Sequence, residues 1–482
     1  MLKLIIRQAN WGVLGAIFAF TVGFFVKIYV IDAVGLEEWG KYVIAHTFSS
    51  FSETFLSIGI PFVILKFLPS LIDKDIDKAS RVANIFLKYA LVIGLGYVII
   101  IYFTSDIINR YIYNDITQLN NILFLMCLHV PISMLFGVVV SLYRSIFKIK
   151  EIVVYGTLVT VSLRALLTFF TFKYFDDVSY FILIEVITQI FVLTLLIYLF
   201  NKENFKIFVS SDYSEVCDDP IIVNYGKKMF LNSTIAYISV HALKFIMSIK
   251  LPSQDVGAYS ILLTISGLTT FLLINLNKVF APAISKLYSD GKTKELNSLY
   301  KKTTILVNLI TLPLVVIILL FSDEILLLYT AQMLEYKNFL LFMLIGGIMS
   351  LASGSSGTFM IMAGLENKNL NILLIKSILI IILSFYYIPI YGISSIVFLY
   401  VFFMFFVNFL QVFFIKRLVN ISPFTYQLFI LYIITTMFIY FAFNQDYTFS
   451  LFHYIVIPIV IYVIYFISMI STVKKLVKEL IY

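Results

Sequence analysis

Hydrophobic residues along this chain form long continuous runs that are separated by short polar segments. A helix needs roughly 20 apolar residues to cross ~30 Å of hydrocarbon, and the runs lack the alternation of barrel strands. Fourteen runs are long enough, near residues 9–31, 39–68, 82–103, 118–142, 152–172, 178–200, 226–249, 256–280, 304–322, 336–364, 370–388, 392–415, 424–443 and 450–470. The pattern predicts an all-α integral membrane protein with about 14 transmembrane helices.

Composition and charge placement support this prediction. Hydrophobic residues make up 61% of the 482 residues and charged residues 13%, against about 25% charged in soluble domains. The net charge of +8 alone would suit nucleic acid, but its placement favours topology. Lys and Arg concentrate in cytoplasmic loops of membrane proteins, and alternate polar segments here are rich in them. Both termini are therefore predicted to be cytoplasmic, and the few external basic residues are Lys41, Arg110, Lys173, Lys250 and Lys337.

Residue groups typical of catalysis are missing from the sequence. There is no Gly-rich phosphate loop followed by Lys-Ser/Thr, and Cys127 and Cys217 have no disulfide or metal spacing. The four histidines, His46, His129, His241 and His453, are far apart in the sequence. We therefore predict a transporter, with no cofactor, no metal and no catalytic residue.

An internal repeat relates the two halves of the chain. Lys27 stands thirteen residues before Gly40, Lys244 stands thirteen before Gly257, and the two pairs are 217 residues apart. The same offset maps each of the first six runs onto one of the next six, although a helix-rich chain gives some such matches by chance. Repeats of this kind form the site of many transporters. The predicted domains are an N-terminal lobe (1–200), a cytoplasmic linker (201–225), a C-terminal lobe (226–417), and two extra helices with a cytoplasmic tail (418–482).

Basic residues inside the apolar runs are the candidate substrate-binding residues. A charge at the bilayer centre costs at least ~2.5–3.5 kcal/mol on insertion scales, so such groups either face a polar interior, pair with an acid, or extend towards the membrane surface. The candidates are Lys27, Lys244, Arg164, Lys278 and Lys376. Extension to the surface is the alternative for the lysines, and pairing with Glu185 is the alternative for Arg164. A cavity with this excess of bases favours an anionic head group such as phosphate or pyrophosphate.

Two acids within the runs, Glu53 and Glu185, are the candidate ion-coupling residues. A carboxylate in a membrane span often belongs to a proton or ion pathway, so either residue would couple transport to a proton or sodium gradient. The alternative is a permanent salt bridge to a basic residue. The glycine-rich tenth run, which contains Gly346-Gly347 and residues 353–357, indicates either close helix packing or a hinge.

Two matching segments carry a family resemblance. Residues 34–42 read VGLEEWGKY and residues 251–259 read LPSQDVGAY, and each ends in Gly-x-Tyr after an acidic stretch. With two six-helix lobes, two extra helices and inside termini, the whole chain resembles the multidrug/oligosaccharidyl-lipid/polysaccharide (MOP) exporter superfamily. Within it, the chain most resembles Wzx-type O-antigen flippases and related polysaccharide biosynthesis membrane proteins.

The resemblance implies a V-shaped, MATE-like pair of lobes that opens alternately to the two sides of the bacterial inner membrane. Its implied activity is to flip undecaprenyl-pyrophosphate-linked oligosaccharide units of O-antigen or capsule, in lipopolysaccharide or polysaccharide biosynthesis, to the periplasmic leaflet. Lys27 and Lys244 best match the implied cationic cavity residues, followed by Lys278 and Lys376. The implied partners are the lipid-linked oligosaccharide, H⁺ or Na⁺, membrane lipids, and polysaccharide polymerase or assembly proteins.

Two other functions remain open from the sequence. A small-molecule or drug antiporter of the same superfamily predicts acids in the central cavity, whereas the deep charges here are mostly basic. A polytopic O-antigen polymerase or ligase needs a sizeable periplasmic loop with active groups, whereas the predicted external segments are all short.

Overall fold

Helices make up nearly all of the computed structural model, which describes residues 2–209, 220–443 and 453–469 and has no strand within those ranges. The helices, with our labels, are α1 Leu2–Leu56, α2 Ile60–Lys74, α3 Ile76–Ile112, α4 Leu119–Cys127, α5 His129–Ser145, α6 Ile149–Thr171, α7 Val178–Glu203, α8 Pro220–Lys250, α9 Ser253–Ser289, α10 Thr293–Leu320, α11 Ser322–Leu327, α12 Lys337–Ser353, α13 Ser356–Met362, α14 Glu366–Tyr391, α15 Ile393–Val419, α16 Tyr426–Phe443 and α17 His453–Ser468.

The number of spans agrees with the sequence prediction. Among the described residues, eleven helical segments are long and apolar enough to cross a membrane, and two shorter apolar helices follow them. The first of the eleven, Trp11–Leu56, contains two spans because Gly35 interrupts it. The predicted all-α, multi-pass membrane fold is thus confirmed, and within the described residues the helices follow the order of the fourteen predicted runs.

The connection between the first two spans differs from the prediction of a polar turn. Gly35 alone leaves helical geometry, at φ 83° and ψ 169°, a region that glycine enters without the steric penalty of a Cβ. Residues 2–34 and 36–56 are helical on either side. Leu36 and Trp39 are buried, so this segment packs into the protein, although its acidic residues are typical of a solvated turn.

Lys41, one of the basic residues predicted to be external, is buried within the helix of the second span. Its side chain is 5% exposed, and its Nζ lies 2.6 Å from Glu38 Oε1 and 3.6 Å from Glu37 Oε1. These spacings of three and four residues place the groups on one face of a helix. The lysine is therefore buried because its own helix supplies the two carboxylates that neutralise it.

Prolines divide two further spans. The second span breaks at Ser57–Gly59, where Gly59 has φ 70°, and resumes in α2 with Pro61 in the first turn. The fourth breaks at Leu128, ahead of Pro131 near the start of α5. Proline lacks an N–H and fits only the first turn of a helix without disrupting it. The sequence analysis predicted each of these spans as one continuous run because hydrophobic residues continue through both breaks.

The chain forms two compact units, Met1–Gly257 and Ala258–Tyr482. A large apolar core in the first unit joins α2, α3, α5 and α7, with Val139, Leu142 and Leu196 fully buried. The second unit has its own core around Tyr300 and Phe359. The predicted lobe boundary at 201–225 follows the repeat and stays a prediction; residues 210–219 of it, with Cys217, and the tail from 470 lie outside the described residues.

The two copies of the repeated Gly-x-Tyr segment pack against each other within the first unit. A Cβ placed on Gly40 would overlap the backbone carbonyl of Ser253, and a Cβ on Gly257 would collide with the Leu36 carbonyl oxygen. The same Cβ on Gly257 would lie 3.3 Å from the Gly40 Cα. Glycine is therefore required at both repeat positions by close backbone approach.

The glycine-rich tenth span combines close packing with a break. In the second unit, a Cβ on Gly347 would overlap the Thr269 side chain. Gly354 ends α12 at φ 57°, and its backbone lies against Thr304. Close packing is thus observed, while the hinge role stays a prediction.

Candidate functional site

Charged and polar side chains from five helices meet at one level of the first unit. The group, which we call the cationic cluster, consists of Lys27 and His46 on the two halves of α1, His129 on α5, Arg164 on α6, Glu185 on α7, and His241 and Lys244 on α8. Each residue lies about two to three turns from the same end of its span, roughly 9–16 Å at 1.5 Å per residue. Because their depths along neighbouring helices are similar, residues that are far apart in the sequence lie at the same level.

Lys27 and Lys244, the repeat-related pair, are close enough for their ammonium groups to repel each other. Both side chains are half-buried. The Lys27 Nζ lies 5.3 Å from the centroid of the Trp39 ring, a favourable cation–π distance. Because the first helix continues to Val34, Lys27 lies about two turns from the kink at Gly35.

Arg164 and Glu185 form a buried ion pair, which was the alternative predicted for Arg164. Arg164 Nη1 donates to Glu185 Oε1 at 2.8 Å, and the Tyr42 hydroxyl donates to Glu185 Oε2 at 3.0 Å. Their side chains are 26% and 9% exposed. Since both carboxylate oxygens accept a hydrogen bond, this pair is fixed in place, and its predicted roles in substrate binding and ion coupling stay predictions.

Three histidines belong to the same cluster, which sequence reasoning missed. The imidazole of His46 interacts electrostatically with His129, His241, Lys244 and Arg164, which lie on three other helices. His46 is exposed, so part of its ring is accessible next to these groups. The histidines share no local motif; the one available signal was their equal depth within spans 2, 4 and 7.

The remaining candidates lie elsewhere. Glu53 is half-buried two turns beyond His46 on α1, where its charge acts on Tyr237 of α8. Lys376 is half-buried on α14 in the second unit. The Lys278 side chain lies outside the described residues, although its helix, α9, is described. No group of three or more His, Cys, Asp or Glu residues within the described ranges is arranged to hold a metal ion.

Comparison with known families gives one match that covers most of the chain. A family model described as "Polysaccharide biosynthesis protein" matches residues 34–338. The matched range includes both copies of the repeated segment and every member of the cationic cluster except Lys27. No curated protein matches the sequence.

Several solved membrane transporters share the fold over nearly their whole length. A structure of the lipid II flippase MurJ in an inward closed conformation has a TM-score of 0.73 at 16% identity, covering 95% of this chain and 99% of that one. An inward-facing MATE multidrug resistance transporter of the MOP superfamily gives 0.67 at 12% identity, covering 83% and 94%. A MOP superfamily transporter from Pyrococcus furiosus gives 0.62 at 12%, covering 87% and 96%. At these identities the likeness shows a MOP-type fold.

Proposed function

Since this chain belongs to the polysaccharide biosynthesis protein family and has the fold of MOP transporters, we propose that it is a flippase for lipid-linked oligosaccharides. The substrate is an undecaprenyl-pyrophosphate-linked repeat unit of O-antigen or capsule. The protein carries it across the bacterial cytoplasmic membrane by alternating access, with both termini in the cytoplasm. Polysaccharide polymerase or assembly proteins are its partners at the periplasmic side. One solved structure of similar fold is a lipid II flippase, which supports a lipid-linked substrate.

The observation that carries this proposal is that Lys27 and Lys244 lie at one level of the first unit, where the charge of Lys244 acts on Lys27. Two ammonium groups that repel each other away from bulk water are stabilised when an anion binds between them. A pyrophosphate diester has one negative charge on each phosphate, and its oxygens accept charge-assisted hydrogen bonds. Because Arg164 is neutralised by Glu185, the lysines supply the positive charge of this site. Lys278 and Lys376 remain proposed contacts for other parts of the substrate.

A vesicle assay tests the proposed function directly. The full-length protein is reconstituted with a fluorescent undecaprenyl-pyrophosphate-linked oligosaccharide, and its arrival in the opposite leaflet is followed with an impermeant glycan-modifying reagent. We expect much faster movement than in protein-free vesicles, and little movement of the same glycan on an uncharged lipid. Rates equal to those of empty vesicles would exclude the flippase. Export of cationic dyes without movement of the lipid-linked glycan would favour the drug antiporter.

Glu53 is the proposed ion-coupling residue, with H⁺ or Na⁺ as the ion. In the same vesicles, Glu53→Gln should remove the acceleration produced by an imposed proton or sodium gradient, about 10-fold for a coupling free energy of 1–3 kcal/mol. The reason is that glutamine keeps the shape of the side chain but cannot bind a proton or cation by charge. The matched control is Glu366→Gln, an exposed residue that begins α14. Unchanged gradient dependence in Glu53→Gln would exclude this role.

A further inference from the structure

The three clustered imidazoles are held by neighbours on their own helices. His129 Nδ1 lies 2.8 Å from Ser133 Oγ, and the ring of His241 packs on Tyr237 with centroids 4.4 Å apart. His46 Nδ1 lies 3.4 Å from Ser50 Oγ. Each ring therefore has a defined position, and in His46 and His129 the serine contact occupies one nitrogen and leaves Nε2 for a ligand.

Titratable groups on four helices besides α1 lie near these rings. Lys244 and His241 on α8, His129 on α5 and Arg164 on α6 act on His46, and Glu185 on α7 acts on His129. Tyr42 packs against His46 and Tyr237 against His241, while Lys244 acts on Lys27 and Glu53 on Tyr237. Glu185 is held by Arg164 and Tyr42. Lys244 and Arg164 both act on His46, so its surroundings are positive, whereas Glu185 acts on His129 more strongly than Arg164 does.

A positive surrounding links proton binding to anion binding. A proton added to His46 in the empty site places another positive charge near Lys244 and Arg164, which is unfavourable at short range in a low-dielectric setting. An anion at the site removes that repulsion and gains an N⁺–H donor, because charge-assisted hydrogen bonds to phosphate are among the strongest available. By thermodynamic linkage, an anion that favours protonation must bind more tightly when protons are plentiful.

We propose that His46, His129 and His241 form part of the pyrophosphate site together with Lys27 and Lys244, and take up protons when the phosphates bind. His46 is the histidine that first meets the anion, because its ring is exposed while the other two are half-buried. This inference rests on the proposed function for the identity of the anion. The site recognises a diphosphate group. The two lysines balance part of its negative charge, and the protonated imidazoles balance the rest.

Binding of dimethyl pyrophosphate to the purified full-length protein tests this site. This diester keeps the same charge between pH 6 and 8, so any pH dependence comes from the protein. Calorimetry in two buffers of different ionisation enthalpy gives the protons taken up per anion bound. We expect net proton uptake. The affinity for the diester should therefore rise as the pH falls, by up to about tenfold per pH unit where one proton is taken up.

Substitutions assign the protons to the cluster. His46→Gln should lower the proton uptake and flatten the pH dependence, and the triple variant His46→Gln, His129→Gln, His241→Gln should abolish both. His46→Arg should bind tightly at pH 8 with a flatter pH profile, because its charge is permanent. The control His453→Gln, in the second unit, should behave as wild type. A steep pH profile that persists in the triple variant, or no proton uptake by wild type, would overturn the proposal.

Failure of this site and failure of the flippase are distinguishable. Histidine-dependent proton uptake on binding the diester, without movement of the lipid-linked glycan in vesicles, would retain the anion site and exclude the flippase. Glycan movement with a diester affinity that does not vary between pH 6 and 8 would retain the flippase and exclude the histidines from the site.

Discussion

Simultaneous replacement of Lys27 and Lys244 by alanine should reduce transport of a pyrophosphate-linked glycan by two to four orders of magnitude. Each hydrogen bond to a charged group contributes about 1.5–3 kcal/mol, and about 1.4 kcal/mol corresponds to a factor of ten. Thermal stability should not fall correspondingly, because the substitutions also remove the repulsion between the two ammonium groups. Loss of function without loss of stability is the signature expected of binding residues.

Matched variants separate charge from packing. Lys27→Met with Lys244→Met keeps the apolar stems and should be as inactive as the alanine pair, whereas Lys27→Arg with Lys244→Arg should retain much of the activity. Lys173→Ala with Lys202→Ala removes two exposed lysines and should be neutral. Normal transport by a stably inserted Lys27→Ala, Lys244→Ala protein would remove these residues from the site.

The lysine pair was predictable because a repeat converts sequence spacing into spatial proximity. Lys27 and Lys244 share an offset with Gly40 and Gly257, and the two glycines are in backbone contact. Apolar continuity likewise predicted the spans, since a bilayer demands about the same helix length everywhere. Both predictions needed only distances along a helix.

The histidines were not predictable in the same way. His46, His129 and His241 come from spans 2, 4 and 7, and which face of each helix points towards the cluster depends on tertiary packing. The kink at Gly35 was missed for a related reason: residues 32–38 are acidic and resemble a solvated turn, yet Leu36 and Trp39 are buried. Local polarity does not reveal that a short segment is covered by the opposite repeat.

Breaking the Arg164–Glu185 pair should destabilise the protein strongly. Either Arg164→Gln or Glu185→Gln should lower the free energy of unfolding by about 3 kcal/mol, the lower end of the range for buried pairs, because the Arg164 side chain remains 26% exposed. Each single variant leaves a buried charge without its partner. The double variant should recover most of the loss, since two neutral amides can hydrogen-bond to each other, and the new amide oxygen on α7 can still accept from the Tyr42 hydroxyl.

Unfolding of the four proteins in detergent, followed by heat and by denaturant, gives the coupling energy of a double-mutant cycle. A coupling energy near zero would contradict the ion pair. Transport by the double variant then decides the predicted roles, because its stability is restored while both charges are absent. Normal, gradient-driven transport would make the pair structural. Loss of transport in a stable double variant would instead support one of the two predicted roles. Lost binding of dimethyl pyrophosphate would indicate that Arg164 binds substrate. Lost gradient dependence with intact binding would indicate that Glu185 couples the ion.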